Sequence, residues 1–569
     1  MDKNKGGLAM KQLLKYSCLV VLMCLTALMG QARNINIDAD GIRGDFTMQL
    51  RAMCERATYN DTVILTFGKG SFTIDGTVEC RGHVIIKGKG SKQSKIVFNH
   101  GHSRNGQKAY ISDAFFKFYG TPSHPISVSI SNIAFDIKRH EGIWWKDGER
   151  YAVKIYHADG VNVHHVESYL ENAFITNFDL HVCSNVSFTD NIITNYNNCE
   201  TGGCLWIRGE MHNVRVSGNK FYKYGKDETL AFFDNVVDNT RDYVRGIASR
   251  TDIIVEDNEF YYGGYDRSDK DPKANCGMIF SLFTNDLKDS DRCTTSNFHL
   301  RNNKFYVSDV CTRCIFIGFS PKDVHHDIYL ENNQIVNNSV DRNRRYYHDD
   351  FTIQDESAAG DTIYLIGNTV KNKNLVINND GDNAYIFLHL YRGNVSLVGN
   401  KVTDDVTVNP HTGKYAGIRL IYCGSNDGSV TMRDNVFKGI GRLAHFSTSK
   451  GIDRFTLNAR NNYFAGETRI YCDNIKLLNI DFTSNTFVSN SVNFFLNNFA
   501  SEGSVTFNYN DVTIKSGNGQ FLTGSSDKAK FNKLEIKNNV FRGVKGEQDL
   551  FRNVNRVNKR KVSRNSISR

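Results

Sequence analysis

The chain has 569 residues, of which 40% are hydrophobic and 23% charged, with five prolines and 13 scattered cysteines. That length and scatter exclude a small disulfide scaffold, and the scarcity of proline leaves no linker at which to divide the chain. The formal charge of +9 is concentrated at the two ends: four Lys against one Asp in residues 1–32, and seven Lys or Arg without an acid in residues 552–569. The body between them is close to neutral, so bulk charge points neither to nucleic acid nor to acidic glycans.

Residues 1–32 read as a secretory signal. Lys3, Lys5, Lys11 and Lys15 precede an apolar run over 18–29, too short for a membrane span, and Gly30-Gln31-Ala32 offers small residues for cleavage. Met23 before Cys24 argues against a lipoprotein anchor. No later stretch is long and apolar enough to cross a bilayer, so the expectation is an exported protein, periplasmic or at the cell surface if bacterial. Residues 33–569 read as one domain. Its entry region, 33–60, includes 46–57 with apolar positions at helical spacing, followed by strand-like runs over 62–68, 70–74 and 84–90. A short helix there would cover the open first edge of a stacked structure.

From Asn191 onward a motif returns. An alternating apolar run ends in Asn, one residue, and an apolar or aromatic residue, as in Val-Arg-Val-Ser-Gly-Asn219-Lys-Phe. The marker recurs at Asn191, Asn219, Asn258, Asn303, Asn333, Asn368, Asn400, Asn435, Asn462, Asn485, Asn510, Asn539 and Asn565, a mean step of about 31 residues. Each alternating run reads as a strand, and the Asn tolerates a left-handed backbone that turns the chain. No helical pattern separates the copies, so each copy is one coil of a parallel β-helix, with the marker amides stacked in a ladder. Fourteen to sixteen coils would make a rod of about 70 Å. The 552–569 tail is a solvated basic end or a last coil.

The helix-then-strands opening and the repeated Asn-x-Phe coils resemble the pectate-lyase-like superfamily of right-handed parallel β-helix proteins. The resemblance covers nearly the whole mature chain and implies an all-β, single-domain solenoid with an N-terminal capping helix; the right hand comes from it alone. It includes lyases, hydrolases and binding proteins. The galacturonase-like Asn-Thr-Asp and Gly-His-Gly patterns are missing, which speaks against a pectin hydrolase.

Two coil steps are long, 39 residues from Asn219 and 45 from Asn258. The extra length leaves as loops, where sites are built on a rigid scaffold, and residues 263–273 would wall a groove. All three tryptophans lie upstream. Trp144 and Trp145 fall in a charged loop, and with Trp206 they offer faces for sugar, or anchor the coil. Aligning the runs that begin at Val153, Phe174, Leu205 and Leu230 puts Lys154, Tyr156, Asn177, Arg208 and Asp234 on one outward stripe. Asn177 and the three Trp are the expected substrate contacts.

Three functions fit. A polysaccharide lyase needs a base beside a uronate carboxylate and a cation for the enolate; Lys154, Tyr156 or His157 would be the base and Arg208 the cation. A glycoside hydrolase needs paired carboxyls, for which Asp227, Glu228 and Asp234 are candidates, with Glu171 and Glu210 behind them. A non-catalytic rod would bind glycan through the Trp cluster. For each residue an ordinary solvated stripe is the plain alternative. The gathering of Trp, Lys, Arg and acids beside the long insertions favours an enzyme, and Lys154, Tyr156 and Arg208 on one register favour a lyase.

Other clusters are structural in this reading. His164-His165 and His325-His326 are adjacent on strands, so each pair should face opposite ways. Cys311 and Cys314 have no second pair at zinc-finger distance, and Cys199 with Cys204, or Cys276 with Cys293, are the loop disulfides left open. Loop carboxylates leave Ca2+ open, but no oxygen-ligand signature is present, so no cofactor is expected.

Overall fold

The computed structural model describes residues 32–43, 45–99, 114–137, 151–171, 176–196, 202–225, 228–233, 247–263, 278–284, 292–308, 313–338, 348–357, 359–373, 385–404, 417–423, 427–446, 452–472, 475–489, 493–497, 502–515, 519–523, 532–552, 554, 557 and 559–569. Trp144, Trp145, Asp227 and Asp234 lie outside these residues. Among the described residues helix is confined to Phe46–Cys54, Glu547–Leu550, the 3-10 turn Ala39–Gly41 and a 3-10 residue at Val554. The rest is strand and turn, and the strands join one continuous sheet. Strand pairs are parallel and join each strand to its counterpart one coil on: Ile247–Glu256 pairs with Arg292–Arg301, which pairs with Asp323–Glu331 and then Thr362–Ile366. Three strands per turn, each hydrogen-bonded to its counterpart one turn on, make a parallel β-helix.

The core follows from the alternation. Two residues past each marker, an apolar side chain turns inward. Phe221, Phe260 and Phe305 are wholly buried and stack with centroids 5.1 and 4.7 Å apart. At the entry, the helix Phe46–Cys54 is capped by the Asp45 side chain, which accepts from the Met48 amide at 2.9 Å, and it buries Leu50 and Cys54 in the core. Cys204 is a buried, unpaired thiol, so the Cys199–Cys204 disulfide is not formed.

The marker amides form the expected ladder. Asn333 Oδ1 accepts from the Asn303 backbone at 3.1 Å and from Asn303 Nδ2 at 3.1 Å. In turn Asn333 Nδ2 donates to Leu300 O at 2.8 Å and to Asn368 Oδ1 at 3.1 Å. The same bonds link Asn191 to Asn219 and, at the far end, Asn539 to Asn565. The turning residue, however, is not the marker. The left-handed backbone belongs to the residue before it, such as Asp190, Gly218, Asp257, Asn302 and even Tyr509. The Asn is then free to aim its amide inward along the axis.

The His164-His165 expectation also changes. His165 is left-handed at a corner, with φ of 54°, so the two rings meet and their Nδ1 atoms lie 2.9 Å apart. His325 and His326 do face opposite ways, toward Asp361 and Asp355 respectively.

Truncating a mid-ladder amide strands the Asn303 N–H and the Leu300 carbonyl in the interior. Asn333→Ala should therefore cost about 3 kcal/mol, and Asn565→Ala at the half-buried end about 1 kcal/mol or less. Denaturant unfolding of the two variants beside the parent checks this; equal losses would contradict a ladder that carries load along its length.

Candidate functional site

Parallel register turns sequence alternation into straight rows. Along one outward row, Lys117 pairs with Lys154, Lys154 with Asp179, Asp179 with Trp206, and Trp206 with Ala231. Two residues on, Tyr119 pairs with Tyr156, Tyr156 with His181, His181 with Arg208, and Arg208 with Phe233. Between them Phe118, Ile155, Leu180, Ile207 and Phe232 point inward and are wholly buried. Stacked strands lie about 4.8 Å apart, so Lys154, Tyr156, Asp179, His181 and Arg208 form one compact cluster.

Their contacts are specific. Asp179 Oδ1 accepts from Arg208 Nε at 2.9 Å, and Asp179 Oδ2 is in contact with His181 Nε2. The Lys154 ammonium lies 4.6 Å from the Tyr151 ring centroid and 4.8 Å from that of Tyr156. The Tyr156 ring packs 4.7 Å from His181 and stacks on Tyr119 at 5.2 Å. All five cluster side chains are buried, none more than 4% exposed.

Burial opposes charge on Asp179, but His181, Arg208 and Lys154 beside it hold the carboxyl below its ordinary range. Burial pushes the His181 ring below its ordinary value against the pull of Asp179, and Lys154 and Arg208 push the same way. The imidazole is therefore neutral near neutral pH. An ionised carboxylate only accepts, so Nε2 carries the hydrogen and Nδ1 keeps the lone pair. His181 Nδ1 is buried without a hydrogen-bond partner. A neutral imidazole oriented by a carboxylate, with two cations alongside, is equipped to take a proton and to stabilise a developing anion.

The corner that closes this face is strained. Immediately past Tyr156, His181 and Arg208 come His157, Val182 and Gly209, all left-handed, with φ of 47°, 52° and 77°. A β-branched Val in that region persists only where its surroundings over-determine it.

The expected site residues thus divide. Lys154, Tyr156 and Arg208 come together. His157 sits at the corner, off the row. Asn177 leaves the stripe: second in the strand Thr176–Thr189, it turns its amide inward, donating to Ser168 Oγ at 2.8 Å and accepting from Asn195 Nδ2 at 2.9 Å. Trp206 holds the expected row but is no open sugar platform, because it is buried with the Arg208 guanidinium 4.7 Å over its ring and Phe233 at its edge. Glu228 is buried beside the strand Leu230–Phe233. Asp179 and His181 were missed. The signal was present: Phe178-Asp-Leu-His repeats the pattern of Val153-Lys-Ile-Tyr and Leu205-Trp-Ile-Arg, but the aligned run began four residues too early. Among the described residues no group of three His, Cys, Asp or Glu is placed to hold a metal.

No protein-family model matches the sequence, and no curated protein does either. Among solved structures the chain is similar to DFA-IIIase from Arthrobacter chlorophenolicus A6 in complex with DFA-III, at TM-score 0.40 and 12% identity over 71% of this chain and 94% of that one. It is similar to the Family 28 exopolygalacturonase of Yersinia enterocolitica, at TM-score 0.39 and 10% identity over 74% and 75% of the two chains. A mannuronic acid specific polysaccharide family 6 lyase from human gut microbiota matches at TM-score 0.32 and 10% identity over 93% and 91%. These are parallel β-helix proteins of the pectate-lyase-like kind. The likeness is distant.

Because folded His181 resists protonation, the unfolded chain takes up a proton below about pH 6.5 that the folded chain does not. That component of stability is intact above pH 6.5 and lost on acidification, by at most about 1.4 kcal/mol per pH unit. His181→Gln should flatten the slope between pH 6.5 and 5, read from unfolding midpoints against pH. An unchanged slope would mean that His181 titrates normally.

Proposed function

We propose that the protein cleaves an acidic polysaccharide by lyase-type β-elimination at a uronate, on the face formed by Lys154, Tyr156, Asp179, His181 and Arg208. The observation that carries this is the unpartnered Nδ1 of a buried, neutral His181, held by Asp179 between two cations. In this reading Arg208 and Lys154 hold the uronate carboxylate. His181 Nδ1 takes the proton from the carbon beside it, and the electron pair spreads into the carboxylate as an enolate that the cations stabilise. The pair then forms the ring double bond as the glycosidic oxygen leaves with a proton from Tyr156. Asp179 orients the imidazole and stabilises its charged form, as the third member of such constellations does. Of the bases expected from the sequence, Lys154 and Tyr156 must first lose a proton and His157 sits at the corner off the row; His181 is on the row and needs no loss of a proton to act. A hydrolase would require a second carboxyl. Among the described residues Asp179 is the carboxylate in the cluster, and it is engaged by Arg208 and His181.

The test is turnover on polygalacturonate and alginate beside neutral dextran, following reducing ends and unsaturated-uronate absorbance together. Both signals should rise on an acidic polymer only. His181→Gln should lower kcat by about 10²–10⁴-fold. Arg208→Gln should lower kcat and raise KM. Reducing ends without absorbance would replace this reading with hydrolysis.

A further inference from the structure

Further down the rod, at the corner that ends the His181 face, four successive coils build a cleft. Arg392 continues the row of His181 through Arg208, Phe233, Phe283, Gly318 and Gln354. It lies six coil steps away, about 29 Å along the axis. The chain turns there, because Gly393 is left-handed with φ of 113°. Gly393, Gly428 and Phe455 are paired in register on three successive coils, so the residues before them, Arg392, Asp427 and Arg454, are stacked. With Asp355, Ser357, Asn394 and Ser429 they line a cleft of about 330 Å³, at the small end of the range for ligand pockets.

The polar groups of the lining divide into those already bonded and those left over. Asn394 is bonded on both sides: Nδ2 donates to Gly360 O at 3.0 Å, and Oδ1 accepts from Ser429 Oγ at 2.6 Å. Asp355 is buried with both oxygens engaged, Oδ2 lying 2.9 Å from His326 Nε2 and Oδ1 accepting from the Ser357 amide at 3.0 Å. Asp427 Oδ1 accepts from the Arg454 amide at 2.7 Å, which leaves Oδ2. Arg392 and Arg454 are exposed, and among the described residues neither guanidinium has a hydrogen bond, an ion pair or an aromatic ring against it. Ser357 Oγ is buried without a partner, and a buried hydroxyl calls for one; the cleft is the space beside it. Two guanidiniums and a hydroxyl are thus left over, against one carboxylate oxygen. The cleft is short of acceptors.

We infer that this cleft holds one uronate residue of a saccharide. The sugar carboxylate accepts from Arg392 and Arg454, since guanidiniums fork onto carboxylates. One ring hydroxyl accepts from Ser357 Oγ, and another donates to Asp427 Oδ2. A bare anion would use the guanidiniums and leave Asp427 idle, and a neutral sugar would leave the guanidiniums idle. The choice of a sugar acid among hydroxy acids rests on the reading of the protein as one that handles acidic polysaccharide. It does not rest on which residue performs the chemistry. At its distance from His181 the cleft is a separate hold on the substrate and takes no part in the cleavage.

Equilibrium dialysis of the whole protein with galacturonate, mannuronate, glucose and inorganic sulfate tests this. The parent should bind one uronate per chain more than a variant carrying R392Q and R454Q, and glucose at least tenfold more weakly. Asp427→Asn should raise the uronate Kd severalfold and leave sulfate binding unchanged. All three positions are exposed, and circular dichroism checks that the variants fold. Arg454→Gln alone is the milder second variant and should raise Kd at least threefold. Equal uronate binding in the parent and a folded double variant, glucose bound as tightly, or neither uronate bound would overturn the inference. Sulfate bound as tightly as uronate, with Asp427→Asn silent toward both, would reduce the cleft to a plain anion site and overturn it equally. Acidic polymer cleaved by the parent while the cleft binds no uronate sinks the cleft and leaves the lyase reading standing. Uronate binding lost in the cleft variants, with no polymer cleaved by the parent, does the reverse.

Discussion

One amide bonded to the next identical amide, coil after coil, sets the register on which everything else depends. Each marker Asn meets its neighbour through both its side chain and its backbone, and its Nδ2 also reaches a strand carbonyl of the preceding coil. Buried amides are costly when unpaired, so a slip of one coil against another breaks several bonds together. The apolar residue two places on then has one place to go, into the aromatic stack. Polar ladder and apolar stack specify the same register, and this agreement between levels selects one structure.

A fixed register has a chemical consequence. Residues far apart in sequence become neighbours about 4.8 Å apart, in straight rows, with rotation about the axis held by the ladder. Lys154, Asp179 and Arg208 come from three successive coils, and the distances among them are set by strand pairing rather than by loops. Burial then gives that cluster its character. It lowers His181 toward the neutral form, while the surrounding cations keep Asp179 ionised.

The fold was legible because it repeats. Thirteen markers at similar steps leave little room for another architecture. What a single residue does within the repeat was less legible. The unvarying Asn looked like the turning residue, whereas the turn belongs to a position that varies among Asp, Gly, Asn, Ser, Tyr and Arg. A backbone held by neighbours on both sides accepts many residues there, while the amide ladder accepts one. The site was half legible. Lys154, Tyr156 and Arg208 share a face by simple alternation. Asp179 and His181 were lost through a strand start placed four residues early, which put Asn177 where His181 stands. Trp206 was placed on the correct row, but no sequence pattern shows that an arginine two residues on will lie over its ring.

The central claim is that His181 is a neutral base whose buried Nδ1 keeps its lone pair unshared. Nitrogen NMR on protein labelled at histidine tests it most directly, with His181→Gln to assign the signal. The account predicts an Nε2–H tautomer that stays neutral well below pH 6.5, with an Nδ1 signal that shifts when a uronate oligosaccharide is added. A ring protonated at neutral pH, or one carrying its hydrogen on Nδ1, would contradict it.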